Sequence, residues 1–202
     1  MTLADLDDKA EDAFEPVVGA FETAGATPNQ VSVLSFVVAV LAAVVFYVAP
    51  TTNLLLYIVA SVLVAVSGLL DGVDGQLARR TDTASEQGDM LDHTLDRYSD
   101  LVLVGGIAGG TGAWAVGFFA VTGVFLTSYM GTQAQAVGAG RDYGGLLGRA
   151  DRMALIILGG VIQPFVPLVE GRTALEWLLV VFGVVGNLTA LQRFRASWNE
   201  LS

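Results

Sequence analysis

The sequence contains no cysteine, which excludes disulfide bonds and thiolate metal sites. It is also poor in positive charge, because 10 lysine and arginine residues stand against 20 acidic residues and Lys9 is the single lysine. This balance argues against a nucleic-acid partner, which would require a basic surface. The acids are most crowded at the start of the chain, at Asp5, Asp7, Asp8, Glu11, Asp12, Glu15 and Glu22. Such an excess of negative charge is typical of proteins from a high-salt cytoplasm, where salt screens self-repulsion, so we expect a halophilic archaeal host. An ordinary acidic tail is the alternative.

Apolar residues are abundant instead, at 53% of the chain with a mean hydropathy of +0.62. They form six runs: Val31–Ala49, Leu54–Leu70, Leu101–Gly110, Trp114–Tyr129, Met153–Val169 and Leu175–Leu191. Most of these can cross about 30 Å of hydrocarbon as helix, at about 1.5 Å per residue. The third run is too short alone and spans only if the polar stretch 89–100 continues its helix. We therefore predict an all-α integral membrane protein whose six transmembrane helices form one membrane domain, residues 28–202.

Within the N-terminal segment 1–27, residues Ala4 to Glu22 mix acids with apolar side chains at roughly helical spacing. This pattern predicts an N-terminal amphipathic helix, juxtamembrane and lying along the cytoplasmic surface of the bilayer. No cleavable signal peptide is expected, because the segment is acidic where a signal peptide is basic.

The basic residues predict the orientation of the six spans. One side would hold Lys9, Arg79, Arg80, Arg141, Arg149, Arg152, Arg193 and Arg195, and the other only Arg172. By the positive-inside rule the first side is cytoplasmic, with both termini there, in a multi-pass protein of the cell membrane. Glycines at 105, 106, 109 and 110 predict close helix packing, either inside the bundle or across a dimer.

Four acidic residues stand near the cytoplasmic ends of the second and third spans. Asp71 and Asp74 lie about 27 and 32 Å along the helix from Asn53, and helical rise places Asp92 and Asp96 about 27 and 21 Å from Gly110. These carboxylates should therefore meet at one depth, where they repel each other unless cations neutralise them. Carboxylate oxygens select hard ions, so two Mg²⁺ or Mn²⁺ ions that clamp a diphosphate are indicated.

Neighbouring residues suit a phosphate ligand. Gly75 and Ala78 lack bulk and allow a ligand close to the helix, and the Arg79 guanidinium is a fork of donors for phosphate. His93 is not expected to be a ligand, because it lies about 100° around the helix from Asp92. Two other classes remain open: a divalent-cation transporter, which also places carboxylates in a bundle, and a scaffold protein.

The pattern Asp71-x2-Asp74-Gly75-x2-Ala78-Arg79-x8-Gly88-x3-Asp92-x3-Asp96 resembles, without a gap, the signature of the CDP-alcohol phosphotransferases. The resemblance implies an enzyme that transfers a substituted phosphate group from a CDP-activated lipid to a small cytoplasmic alcohol and releases CMP. It implies that Asp71, Asp74, Asp92 and Asp96 bind two metal ions, that Asp96 is also the general base, and that the enzyme is a homodimer. The residues it implies for CDP-lipid binding are Asn29, Ser32, Gly75, Ala78, Arg79 and Ser85, with Ser32 in place of a more usual threonine.

The acceptor alcohol is indicated by arginines near the last two spans. The stretch 144–152 and Gln192-Arg193 resemble the phosphatidylinositol phosphate synthase branch, in which arginines matching Arg152 and Arg193 hold the acceptor's phosphate. Arg149 belongs to the same stretch and is the third candidate. One position departs from that branch, because Gly131 stands where its phosphate pocket has a lysine. We expect inositol phosphate and an archaeol-based lipid, with glycerol phosphate as the alternative acceptor and serine less favoured. The positive-inside rule by itself is another explanation for these arginines.

Overall fold

The structure is a computed structural model that describes residues 14–140 and 147–201. These ranges contain seven helices and no sheet, which confirms the all-α prediction. They are α1 (14–23), α2 (Pro28–Thr52), α3 (Leu56–Arg80), α4 (Glu86–Thr111), α5 (Trp114–Ala136), α6 (Arg149–Ile162) and α7 (Ala174–Glu200).

Four of these helices, α2, α3, α5 and α7, are long and apolar enough to cross a membrane. The chain is therefore a multi-pass membrane protein. Helix α4 carries several acids in its first half, and α6 has 14 residues, about 21 Å of helix. Spans by α4 and α6 accordingly stay a prediction.

The fifth apolar run is helical over a shorter range than its composition indicates. We predicted a span over Met153–Val169, but α6 ends at Ile162 and a turn follows. Pro164 and Pro167 lie in that turn. Proline lacks a backbone amide donor, so the run stays apolar while its helix stops.

Side-chain caps set the start of the two helices that border the acidic cluster. Thr27 caps α2, because its hydroxyl accepts from the Gln30 amide at 3.3 Å and its own amide donates to Gln30 Oε1 at 2.9 Å. Ser85 caps α4 and accepts from the Gly88 amide at 3.1 Å. These caps place Asn29 and Ser85 at helix ends that face the same region.

Helix α1 packs on the end of α3 that carries Asp71 and Asp74. Its Val18 is buried in a cluster with Val73 and Leu77, and Phe14 packs against this cluster. Arg80 at the end of α3 forms ion pairs at 2.6 Å with two acids, Glu15 and Glu22. The apolar side of 14–23 thus faces α2 and α3. The remainder of the predicted amphipathic segment, residues 1–13, lies outside the described residues.

Helices α2 and α4 pack closely because α4 presents glycines to α2. A Cβ on Gly106 would overlap the backbone of Ala43, and one on Gly110 would lie 2.5 Å from the Phe46 carbonyl oxygen. Around this contact lie fully buried side chains such as Phe46 and Ile107. A Cβ on Gly105 would meet nothing within 4 Å. The glycine pattern therefore contributes to packing inside one chain, and the dimer remains a prediction.

We expect Gly106→Ala to lower the melting temperature of the detergent-solubilised protein by several degrees, because the added methyl forces α2 and α4 apart. The matched control is Gly105→Ala on the same helix, which should leave the melting temperature unchanged or slightly higher, since alanine favours helix. Equal melting temperatures for the two variants would contradict the packing described here.

Candidate active site

The four predicted aspartates project toward one another from the C-terminal end of α3 and the first half of α4. Asp74 and Asp96 are buried, with 5% and 7% of their surface exposed, while Asp71 and Asp92 are half-buried. Asp71 and Asp96 are joined by one guanidinium: Arg149 Nη1 lies 2.5 Å from Asp71 Oδ2 and 2.6 Å from Asp96 Oδ1. Helical spacing puts each pair on one face, and the tertiary packing brings the two faces to the same guanidinium.

Ser32 on α2 forms a hydrogen bond with Asp74, another aspartate of the cluster. Its hydroxyl donates to Asp74 Oδ2 at 2.5 Å, and both side chains are buried. One turn further along α2, buried Ser35 donates to the carbonyl of Ser67 at 2.9 Å. Ser32 therefore orients an aspartate, whereas Ser35 joins α2 to α3.

A cavity of about 210 Å³ opens on one side of the aspartates and is here named the small cavity. Its walls include all six residues predicted to bind the CDP-lipid: Asn29, Ser32, Gly75, Ala78, Arg79 and Ser85. Asp74 and Asp92 also line it. A Cβ on Gly75 would meet only Arg79 Nη1, at 3.6 Å, so a side chain there would project into space that glycine leaves to the cavity.

A second cavity, of about 370 Å³, lies on the other side and is here named the large cavity. It is lined by Asp96 and by four arginines, Arg97, Arg149, Arg152 and Arg193. The three arginines predicted to hold the acceptor's phosphate are thus brought to one cavity, together with a fourth that was not predicted. Gly131 lines the large cavity too.

Each arginine of the large cavity is held by a neighbour. Arg152 Nη2 donates to Asp100 Oδ2 at 2.6 Å, and both side chains are buried. Arg193 Nη1 donates to the Thr127 carbonyl at 2.6 Å. Arg97 Nη1 donates to the Ser128 hydroxyl and lies 3.8 Å from Asp100.

Asp100 has two arginine partners. Arg97, three residues before it on α4, forms an ion pair with it at 3.8 Å, and Arg152 of α6 is nearer at 2.6 Å. Asp100 lies one turn after Asp96 on the same face of α4, and this spacing was the available signal for its place beside the site.

Residues 26–188 match the family model described as CDP-alcohol phosphatidyltransferase. The chain belongs to this family. It is 32% identical over 162 residues to the archaetidylinositol phosphate synthase of Pyrococcus horikoshii, covering 80% of this chain and 83% of that one.

Two solved structures of the Mycobacterium tuberculosis phosphatidylinositol phosphate synthase share the fold. The form in complex with manganese and citrate superposes with a TM-score of 0.78 at 26% identity, covering 92% of this chain and 88% of that one. The form with CDP-DAG bound has a TM-score of 0.76 at 25% identity and covers 92% and 93%. The protein is thus an enzyme of the phosphatidyltransferase class, which favours the enzyme over the transporter and scaffold alternatives.

His93 of the transferase lies beside the aspartate cluster. Its Nδ1 lies 3.6 Å from Asp92 Oδ2, and it lines the large cavity. One ligand atom from each of Asp92, His93 and Asp96 can be chosen so that all three lie within 4.8 Å of one another. The imidazole therefore lies beside the carboxylates, and the expectation that His93 is not a metal ligand stays a prediction. A step of about 100° separates neighbouring Cβ atoms, but the imidazole is long enough to reach back.

The donor set of the transferase fits a divalent metal ion. Four carboxylates converge, and Asp96 Oδ1 is buried without a hydrogen bond, although the Arg149 charge lies close to it. A buried anionic oxygen with an unused acceptor position suits a hard cation, and carboxylate oxygens are the ligands that Mg²⁺ and Mn²⁺ prefer.

We expect Ser32→Ala to weaken Mn²⁺ binding roughly tenfold, because Asp74 loses a charge-assisted hydrogen bond that orients it. Ser35→Ala is the matched control. It also removes a buried hydroxyl from α2, but the Ser35 hydroxyl contacts no aspartate. It should lower the melting temperature yet leave the Mn²⁺ affinity within about twofold. Isothermal titration of both variants checks this, and an equal loss of affinity in both would refute the assigned role of Ser32.

Proposed function

We propose that the enzyme transfers a phosphatidyl-type group, specifically an archaetidyl group, from a CDP-lipid to the hydroxyl of inositol phosphate and releases CMP. The observation that carries this proposal is the placement of the two cavities on either side of one aspartate cluster. Asp74 and Asp92 line the small cavity with the predicted nucleotide-binding residues, and Asp96 lines the large cavity with four arginines. The names of the Pyrococcus relative and of the manganese and CDP-DAG complexes support the same reaction.

The CDP group would bind in the small cavity. Arg79 is exposed there and offers donors to phosphate, while Gly75 leaves room for it beside α3. Asn29 and Ser85, at the starts of α2 and α4, border the same space. The lipid tails would remain among the apolar faces of the helices.

The four aspartates would hold two divalent ions, Mg²⁺ or Mn²⁺. Bound there, the ions would neutralise the charge of the diphosphate and of the departing CMP. Residues Asp71, Asp74, Asp92 and Asp96 supply only oxygen donors, in agreement with this metal class.

Proton transfer would fall to Asp96, the aspartate that also lines the large cavity. The Asp96 carboxylate accepts the proton of the acceptor hydroxyl, and the hydroxyl oxygen then forms a bond to the lipid-side phosphorus. The bond from this phosphorus to the bridging oxygen breaks, and CMP leaves with the electron pair. Arg149, Arg152 and Arg193 would hold the acceptor's phosphate and so position its hydroxyl.

The same proposal extends to the whole chain. Helices α4 and α6 would complete a six-helix membrane domain over 28–202, because α4 packs on α2 and α5 while α6 packs on α3 and α7. Residues 1–27 would form the cytoplasmic amphipathic segment. The active site would face the cytoplasm, the enzyme would be a homodimer in the cell membrane, and its acidic composition would suit a halophilic host.

Glycerol phosphate is the second candidate acceptor, because its phosphate would meet the same arginines in the large cavity. Serine, whose carboxylate is accompanied by a cationic amine, fits this strongly cationic lining less well.

The deciding experiment measures CMP release by the purified enzyme with CDP-archaeol and Mg²⁺ in high salt, with inositol phosphate, glycerol phosphate and serine in separate reactions. We expect release that depends on inositol phosphate, and Asp96→Asn should reduce it at least about 100-fold because the base is lost. Release with glycerol phosphate alone would keep the mechanism and replace the acceptor. Activity retained by Asp96→Asn would refute its role as the base.

A second variant tests the phosphate pocket. Arg193→Gln should raise KM for the phosphorylated acceptor about tenfold or more while changing KM for the CDP-lipid little, because one charged hydrogen bond to phosphate is lost. Arg195→Gln is the matched control, since Arg195 lies two residues further along α7 and is exposed. Equal KM changes in both variants would show that these arginines contribute only bulk charge.

A further inference from the structure

Arg149 contacts the aspartate cluster and also lines the large cavity. Its Nη1 lies 2.5 Å from Asp71 Oδ2 and 2.6 Å from Asp96 Oδ1, and the same side chain lines the large cavity. Among the described arginines that line this cavity, it alone forms ion pairs with two of the four clustered aspartates. Of the four clustered aspartates, Arg97 approaches only Asp96, whose Oδ2 lies 3.5 Å from Arg97 Nη2. Arg152 is bound to Asp100, which is outside the cluster.

A divalent ion would compete with the guanidinium for these two carboxylates. Asp71 and Asp96 would hold such an ion through their oxygens at about 2.0–2.1 Å, close to the position of Arg149. Two positive groups that close together repel strongly away from bulk water, so binding of the ion disfavours the ion pairs of Arg149.

We propose that Arg149 is a latch that exchanges with the metal ion. In its closed position it neutralises Asp71 and Asp96, and a divalent ion that binds these oxygens displaces it into the large cavity. There its donors become available to the phosphate of the acceptor. Metal binding then precedes productive acceptor binding. Until the metal ion binds, the base Asp96 stays paired with Arg149. This inference rests on the proposed role of these aspartates as metal ligands.

The latch has a measurable consequence for metal affinity. If it is closed about nine-tenths of the time, it weakens the apparent affinity for metal about tenfold, because only the open fraction binds. Arg152 exchanges with nothing in this way, since its partner Asp100 is not among the four aspartates.

The first test titrates Mn²⁺ into the metal-depleted, full-length protein in detergent without substrates, and follows free Mn²⁺ by electron paramagnetic resonance. Arg149→Gln should bind Mn²⁺ about tenfold more tightly than the unaltered protein. Arg172→Gln, which removes an equal charge near the α6–α7 turn, should change nothing. Unchanged or weaker binding by Arg149→Gln would overturn the latch. Absence of Mn²⁺ binding by the unaltered protein would instead refute the metal assignment on which it rests.

The second test uses the unaltered protein and so does not depend on the folding of a variant. Phenylglyoxal modifies accessible arginines, and mass spectrometry measures modification at each position. Mn²⁺ should increase modification of Arg149 several-fold and leave Arg152 unchanged, because the ion releases only the first guanidinium from its carboxylates. Equal modification of Arg149 with and without Mn²⁺ would contradict release.

Discussion

Repulsion among four carboxylates at the ends of α3 and α4 is the constraint around which this enzyme is organised. Two of them, Asp74 and Asp96, are buried, and a buried negative charge is costly unless a cation or strong donors compensate it. Ser32 supplies a donor to Asp74, and Arg149 supplies a cation to Asp96 and Asp71. The same repulsion that makes the cluster costly to build makes it a strong site for divalent ions.

The rest of the site follows from placing this cluster between two cavities of different character. The small cavity is bordered by helix starts and by Gly75, features that suit a nucleotide diphosphate. The large cavity is lined by arginines that are themselves fixed by Asp100, Thr127 and Ser128. Asp96 lines the large cavity, and Arg149 joins it to Asp71 of the same cluster.

Much of the site was predictable because its residues are close in sequence. Three- and four-residue spacings on a helix decide which side chains share a face, so the pairs of aspartates and the neighbouring Gly75 and Arg79 could be found without a structure. The pairing of Asp100 with Arg152 and the contact of His93 with Asp92 could not be found in this way. Asp100 is paired by an arginine from another helix, and the direction of the His93 side chain depends on its rotamer.

The sequence by itself determined the all-helical membrane class, the family and the four aspartates, because these depend on apolar run length and on local spacing along single helices. Only the tertiary structure decided that glycines of α4 pack on α2 within one chain, and that Arg149 joins Asp71 to Asp96. The physical reason is that contacts between distant helices depend on packing angles and rotamers, which no spacing within one helix encodes.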